Sequence, residues 1–213
     1  MTTCLAPVIE VRSISKAYGR HQVLDNVSFE LFPGTALAII GANGCGKSTL
    51  LKICAGLLSP SSGQVVVRGR LGYCPQDLEL SPYLNADDHF TWFGAGHGLD
   101  GKTSRQVGSE IAKGLGWNPT DLQVRHLSGG TQQKLNLAVT MMSSPDVILL
   151  DEPYQGFDAG SYIDFWSLVE HWCADGRAVI IVTHLLHEMN RVDAVLDLSE
   201  QPPQVRPSSR EQP

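Results

Sequence analysis

Ala36-Leu37-Ala38-Ile39-Ile40-Gly41-Ala42-Asn43-Gly44-Cys45-Gly46-Lys47-Ser48-Thr49-Leu50-Leu51-Lys52-Ile53-Cys54 is the stretch whose reading decides the fold. It opens with an apolar run of strand length, passes through a glycine loop, and leaves through a second apolar run that begins on Lys-Ser-Thr. Strand, glycine loop and helix in this order are the setting in which G-x-x-x-x-G-K-S cradles phosphate. The glycines let successive backbone N–H groups turn inward around a polyphosphate, and the helix N-terminus adds its positive dipole end. Lys47 supplies a mobile charge for the outer phosphates, and the Ser48 hydroxyl suits Mg²⁺. Gly41, Ala42, Asn43, Gly44, Cys45, Gly46, Lys47, Ser48 and Thr49 are therefore expected to wrap a nucleoside triphosphate.

Moving outward, Val8–Arg12 and Val27–Leu31 alternate apolar and polar residues as half-buried strands do. Short strands are expected again at Gln64–Val67 and Leu71–Gln76. Between about 81 and 144 the texture turns helical. Asn85-Ala86-Asp87-Asp88 reads as a helix cap, Val107, Ile111, Ala112 and Leu115 recur at helical spacing, and Thr131–Met142 forms a third run. Phe90, Trp92 and Phe93 are expected to pack in the core. Val147–Leu150 and Ala178–Val182 are nearly all-apolar runs on either side of a helical stretch, Ser161–Trp172, and a last strand is expected at Ala194–Leu198. Strands apolar on both faces and alternating with helices indicate a parallel sheet covered on each side. Gln201–Pro213, rich in Pro, Ser and Gln, is expected to be disordered. The expected organisation is one domain over 1–200 with a helical insertion at about 81–144.

Bulk properties exclude several classes. With 16 Lys+Arg against 22 Asp+Glu the net charge is −6, which argues against a broad electrostatic grip on nucleic acid. Cys4, Cys45, Cys54, Cys74 and Cys173 are odd in number and lack Cys-x-x-Cys spacing, so they read as apolar fillers in a reducing compartment. No stretch approaches the ~20 apolar residues needed to cross a bilayer, and Met1–Pro7 lacks the pattern of a secretory signal.

Further signals follow the phosphate loop in a fixed order. Val147-Ile148-Leu149-Leu150-Asp151-Glu152 delivers two carboxylates at the end of a buried strand, where ligands of open α/β sheets sit. Asp151 is placed to hold the magnesium shell, and Glu152 to polarise the water that attacks the γ-phosphate. Leu127-Ser128-Gly129-Gly130-Thr131 opens a helix with a second backbone nest suited to phosphate. Two such nests are redundant in one domain unless each grips ATP bound to a different copy.

On these motifs the chain resembles the nucleotide-binding domain of an ABC transporter. Gly41–Thr49 resembles Walker A, Leu127–Gly130 the ABC signature and Val147–Glu152 Walker B. Gln76 resembles the Q-loop glutamine, Asp158 the D-loop aspartate, His184 the switch histidine and Tyr18 the aromatic that stacks on adenine. The likeness runs from about Val8 to Leu198. It implies an α/β P-loop NTPase with a mixed sheet core, an N-terminal antiparallel β subdomain and an inserted helical subdomain. It also implies catalysis by Glu152, His184, Gln76 and Lys47, with Mg²⁺ held by Ser48, Gln76 and Asp151. ATP would be sandwiched in a head-to-tail homodimer that brings Ser128, Gly129, Gly130 and Thr131 in trans. Transmembrane permease subunits would anchor the protein at the cytoplasmic face of the membrane and choose what is carried.

Two positions depart from the family pattern. Thr131 stands where glutamine is commoner, a replacement frequent among exporters, and Phe157 stands where leucine is usual. The expected function is thus ATP-driven transport, with export favoured by Thr131. The competing readings are a soluble ABC ATPase, against which the single cassette, acidic balance and lack of a heptad insertion count, and a P-loop kinase, which needs neither the signature nor His184. His21, His89, His97, His126, His171 and His187 stand in no such context and read as ordinary surface or core residues.

Overall fold

The computed structural model describes residues 6–184, 186–200 and 203–208. Its centre is the sheet the apolar runs demand. β3 (Ala36–Ile40) lies between β7 (Ala178–Val182) and β8 (Ala194–Asp197), and β6 (Val147–Asp151) and β5 (Leu71–Cys74) extend it beyond β7. These five strands are parallel, so their carboxyl ends share one edge. β6 and β7 are buried at every position. Successive side chains point to opposite faces of a strand, and the core divides accordingly. Leu37, Ile39, Val147, Leu149, Ile180 and Val182 pack with α1 (Lys47–Cys54) and the N-terminal sheet. Ala38, Ile148, Leu150, Val179 and Ile181 pack beneath Leu135, Ala138, Phe165 and Trp166 of the helices on the other face.

The N-terminal sheet is antiparallel, with β1 (Ile9–Tyr18) between β2 (His21–Leu31) and β4 (Ser62–Val67). The hairpin runs well past the strands read from alternation, because bulges in the register of β1 interrupt the period there. Glu10, buried on β1, is paired with Arg12 and Arg68, and the two guanidiniums, Arg68 foremost, hold its carboxyl below the usual range.

In the helical stretch lie α2 (Ala86–Gly96), α3 (Gly101–Gly114) and α4 (Gly129–Met141). Asn85 caps α2 as expected: its side chain accepts from Asp88 N, and the Asp88 carboxylate accepts from Asn85 N. Phe90 is fully buried, but Trp92 is 64% exposed, contrary to the expectation for the cluster. On an eleven-residue helix it falls on the side away from Phe90, where no neighbouring element covers it. His89 is a satisfied core histidine. Its Nε2 accepts from Ser81 N at 3.0 Å, which leaves Nδ1–H to donate to Asn85 O at 2.7 Å.

α5 (Ala159–Ala174) connects β6 to β7. The C-terminal expectation needs correction in one segment: Val205–Pro207 forms β9, antiparallel to β8, with Ala194 opposite Pro207. This three-residue strand is held by its ladder pairing with β8, which composition does not reveal. Within the expected disordered tail, residues 201–202 and 209–213 lie outside the described residues, as do residues 1–5. Among the described residues no helix is long and apolar enough to cross a membrane.

Candidate functional site

Parallel strands deliver the motif residues to one edge of the sheet. β3 runs into the loop 41–46, β6 ends on Asp151, Glu152 follows it, His184 stands two residues beyond β7, and Gln76 two residues beyond β5. Asn43, Gly44, Gly46, Lys47, Ser48, Thr49, Gln76, Glu152, Gln155 and His184 together line a cleft of about 610 Å³. The strand ends are knitted by backbone bonds, Glu152 N to Val182 O and Thr183 N to Ile39 O, both 3.2 Å. A further bond joins the Tyr154 hydroxyl to the Thr183 hydroxyl, beside His184.

The loop has the shape its glycines permit. Gly46 has φ +103°, and a Cβ there would meet Leu24 Cδ2 at 2.8 Å and Val23 Cγ1 at 2.9 Å, so β2 packs directly on the loop. Lys47 is buried, with its ammonium donating to Gly41 O at 2.9 Å and Ala42 O at 3.1 Å. Cys45 faces away from the cleft, into a smaller cavity shared with Val23, Leu24 and Leu198.

Asp151 lies beneath the cleft at 1% exposure. Burial pushes its carboxyl above the usual range and Glu152 adds to this, while the Ser48 hydroxyl, Lys52 and Lys47 pull it back. Its Oδ1 is buried without a hydrogen-bond partner. Tyr73, on the adjacent strand, also has a buried hydroxyl without a partner, and burial followed by the Asp151 charge pushes that phenol far up. Glu152 is held from three directions. His184 Nε2 pairs with Oε1, while Gln155 Nε2 at 2.8 Å and Gln76 Nε2 at 3.4 Å donate to Oε2. Glu152 also adopts φ +49°, a strained backbone for a non-glycine residue.

Tyr18, Asp158 and the signature residues lie elsewhere. Tyr18, at the end of β1, is 53% exposed and is not among the cleft-lining residues; the Lys16 ammonium lies 5.1 Å from its ring centroid. Ser128 caps α4, its Oγ accepting from Thr131 N at 3.2 Å and lying 2.8 Å from Thr131 Oγ1. Ser128, Gly129, Gly130 and Thr131 do not line the cleft of their own chain. Asp158 caps α5 by accepting from Ser161 N at 2.7 Å, and that bond holds its carboxyl below the usual range. Sequence reading missed Gln155 and Tyr154. Gln155 stands three residues after Glu152 with nothing in its own neighbourhood to mark it, and Tyr154 finds its partner only when β6 and β7 are side by side.

The model of the family described as ABC transporter matches residues 24–155. A zinc import ATP-binding protein of Vibrio vulnificus is 37% identical over 204 residues, covering 91% of this chain and 74% of the relative. A Nod factor export ATP-binding protein of Cupriavidus metallidurans is 30% identical over 204 residues, covering 88% of this chain and 66% of the relative. Among solved structures, the dimeric post-hydrolysis state of an ATP-binding cassette bound to ADP and Pi superposes with a TM-score of 0.85 at 23% identity, over 93% of this chain and 98% of that one. That likeness supports the fold, a P-loop NTPase cassette. Matched by the family model over more than half its length, with the phosphate loop, both carboxylates and the histidine gathered at one cleft, the chain belongs to the ABC transporter family as an ATP-binding, ATP-hydrolysing subunit.

Proposed function

We propose that this subunit drives transport by closing, with ATP, into a head-to-tail pair of identical copies, and that hydrolysis reopens the pair for permease partners in the membrane. One observation carries the reading: the hydrolytic side chains line one cleft, while the capped start of α4, with Ser128-Gly129-Gly130, lies outside it. A nest that cannot serve its own cleft is available to the cleft of a second copy. In this reading permease partners supply the spanning part and hold the protein at the cytoplasmic face of a membrane; among the described residues no helix is long and apolar enough to cross one.

Within the cleft the loop N–H groups and Lys47 bind the phosphates and draw charge from the γ-phosphoryl oxygens. Glu152 orients a water and accepts its proton as the water oxygen bonds to the γ-phosphorus and the bond to the β–γ bridging oxygen breaks, releasing ADP and phosphate. His184 and Gln76 keep the carboxylate aimed across the cleft. Ser48, Asp151 and Gln76 suit Mg²⁺, because Asp151 offers a buried, unpartnered carboxylate oxygen beside the Ser48 hydroxyl. When bound, that ion would neutralise phosphate charge. Tyr18, exposed on one edge, offers a stacking face for adenine.

Thr131 supports export through its place in the signature, and its hydroxyl is engaged with Ser128. Relatives named for export and for import alike match this chain, over 88% and 91% of its length. Glu152→Gln is the test of the chemistry. It should keep ATP affinity, cut hydrolysis by about 10²–10⁴-fold and accumulate an ATP-bound dimer visible by light scattering. Hydrolysis at the wild-type rate would remove Glu152 from its role. Co-purification of a membrane protein from detergent extract distinguishes this reading from a soluble ABC ATPase, which would be recovered without one.

A further inference from the structure

We propose that Gln155 is a positioning residue for hydrolysis, locking the rotamer of Glu152 from within its own turn. The inference rests on the assignment of Glu152 above.

Of the three side chains bonded to Glu152, two arrive from the ends of other strands: Gln76 beyond β5, and His184 beyond β7. All three line the cleft. Gln155 alone belongs to the same segment of chain. Its backbone N–H donates to Glu152 O at 3.3 Å, and its side-chain Nε2 donates to Glu152 Oε2 at 2.8 Å. Main-chain and side-chain bonds between the same two residues close a ring. That ring fixes the carboxylate relative to the strained backbone at Glu152, whose φ is +49°. On Oε2 the Gln155 bond is the short one and the Gln76 bond, at 3.4 Å, the long one. Hydrogen bonds of the amide kind are strongest near 2.9 Å, so Gln155 dominates the hold on that oxygen. When the nucleotide draws Gln76 or His184 away, Gln155 still aims the carboxylate. A rotamer slip of about 1 Å at a reacting group is enough to cost up to 10²-fold in rate, which gives a local lock a kinetic effect.

Gln155 is exposed, so replacing its amide leaves the core untouched. Gln155→Met keeps length and removes both donors and acceptor. In the purified full chain it should lower kcat about tenfold, in the range seen when a group that orients a site residue is removed, with KM for ATP and thermal midpoint unchanged. A double-mutant cycle separates positioning from structure: introduced beside Glu152→Gln, the same change should leave the residual turnover where Glu152→Gln alone puts it. Unchanged kcat in Gln155→Met, or an equal loss in both backgrounds, would overturn the lock. Wild-type hydrolysis in Glu152→Gln would instead overturn the role of Glu152 itself, whatever Gln155→Met does.

Discussion

At the scale of single residues, burial sorts side chains that look alike in the sequence. Cys54 and Cys74 sit in the two faces of the core, and desolvation pushes both thiols up to about 12. A thiol whose pKa is raised stays protonated at neutral pH, and only the thiolate is a nucleophile. Cys45 is half-buried. Maleimide added to the native chain at pH 7 should therefore modify Cys45 and spare Cys54 and Cys74 until the fold is opened with denaturant. Labelling of Cys54 or Cys74 at the same rate would contradict the packing described. The same sorting explains what could be read in advance. The placing of Lys47, Asp151, Glu152 and His184 at one edge of the sheet was legible because each stands at or just beyond the end of a buried strand, in a fixed order. Gln155 was not, since a glutamine in a turn acquires its role only when its amide comes back to a particular carboxylate. Nor was Asn136, a buried polar residue of α4 whose Nδ2 donates to Pro75 O at 3.1 Å and so holds the segment leading to Gln76.

At the scale of elements, hydrophobic period located nearly every strand and helix, while contacts between elements set what period could not. β9 exists because β8 offers it an edge, and Trp92 is exposed because no element covers its side of α2. The crossing of α2 and α3 turns on two glycines, Gly94 against Ser104 and Gly108 against Phe90. Gly108 lies against the ring of Phe90, and any Cβ there would run into it. Gly→Ala inside a helix gains about 1 kcal/mol of propensity, whereas overpacking a tight contact costs about 1–3 kcal/mol. With the fully buried Phe90 fixed on both sides, the second effect should win. Gly108→Ala is expected to lower the thermal midpoint and speed hydrogen exchange in α2 and α3 while leaving ATP affinity intact, because neither helix lines the cleft. A raised midpoint would mean that Phe90 yields easily and that the crossing is looser than described.

At the scale of the whole molecule, the arrangement of two phosphate-gripping segments in one chain makes a prediction that neither segment makes alone. The loop 41–46 with Lys47 opens into the cleft, and Ser128–Thr131 stands outside it. If two copies pair head to tail, each composite site takes its loop from one copy and its signature from the other. Lys47→Ala removes the ammonium that bonds Gly41 O and Ala42 O and would meet phosphate, so a charge-assisted interaction worth about 1.5–3 kcal/mol is lost. Ser128→Arg replaces the small cap of α4 with a long cation that fills the nest. Each variant alone has two damaged sites and should hydrolyse ATP poorly; Ser128→Arg should still bind it as a monomer. Mixed in equal amounts, they should form a pair in which the intact loop of the Ser128→Arg copy faces the intact signature of the Lys47→Ala copy. The partner site carries both defects. The mixture should then recover hydrolysis that neither variant shows, rising with the square of concentration while pairing is incomplete and lost on dilution. Activity of the mixture equal to the mean of its parts would place both segments in the service of one copy, and the head-to-tail sandwich would fall with it.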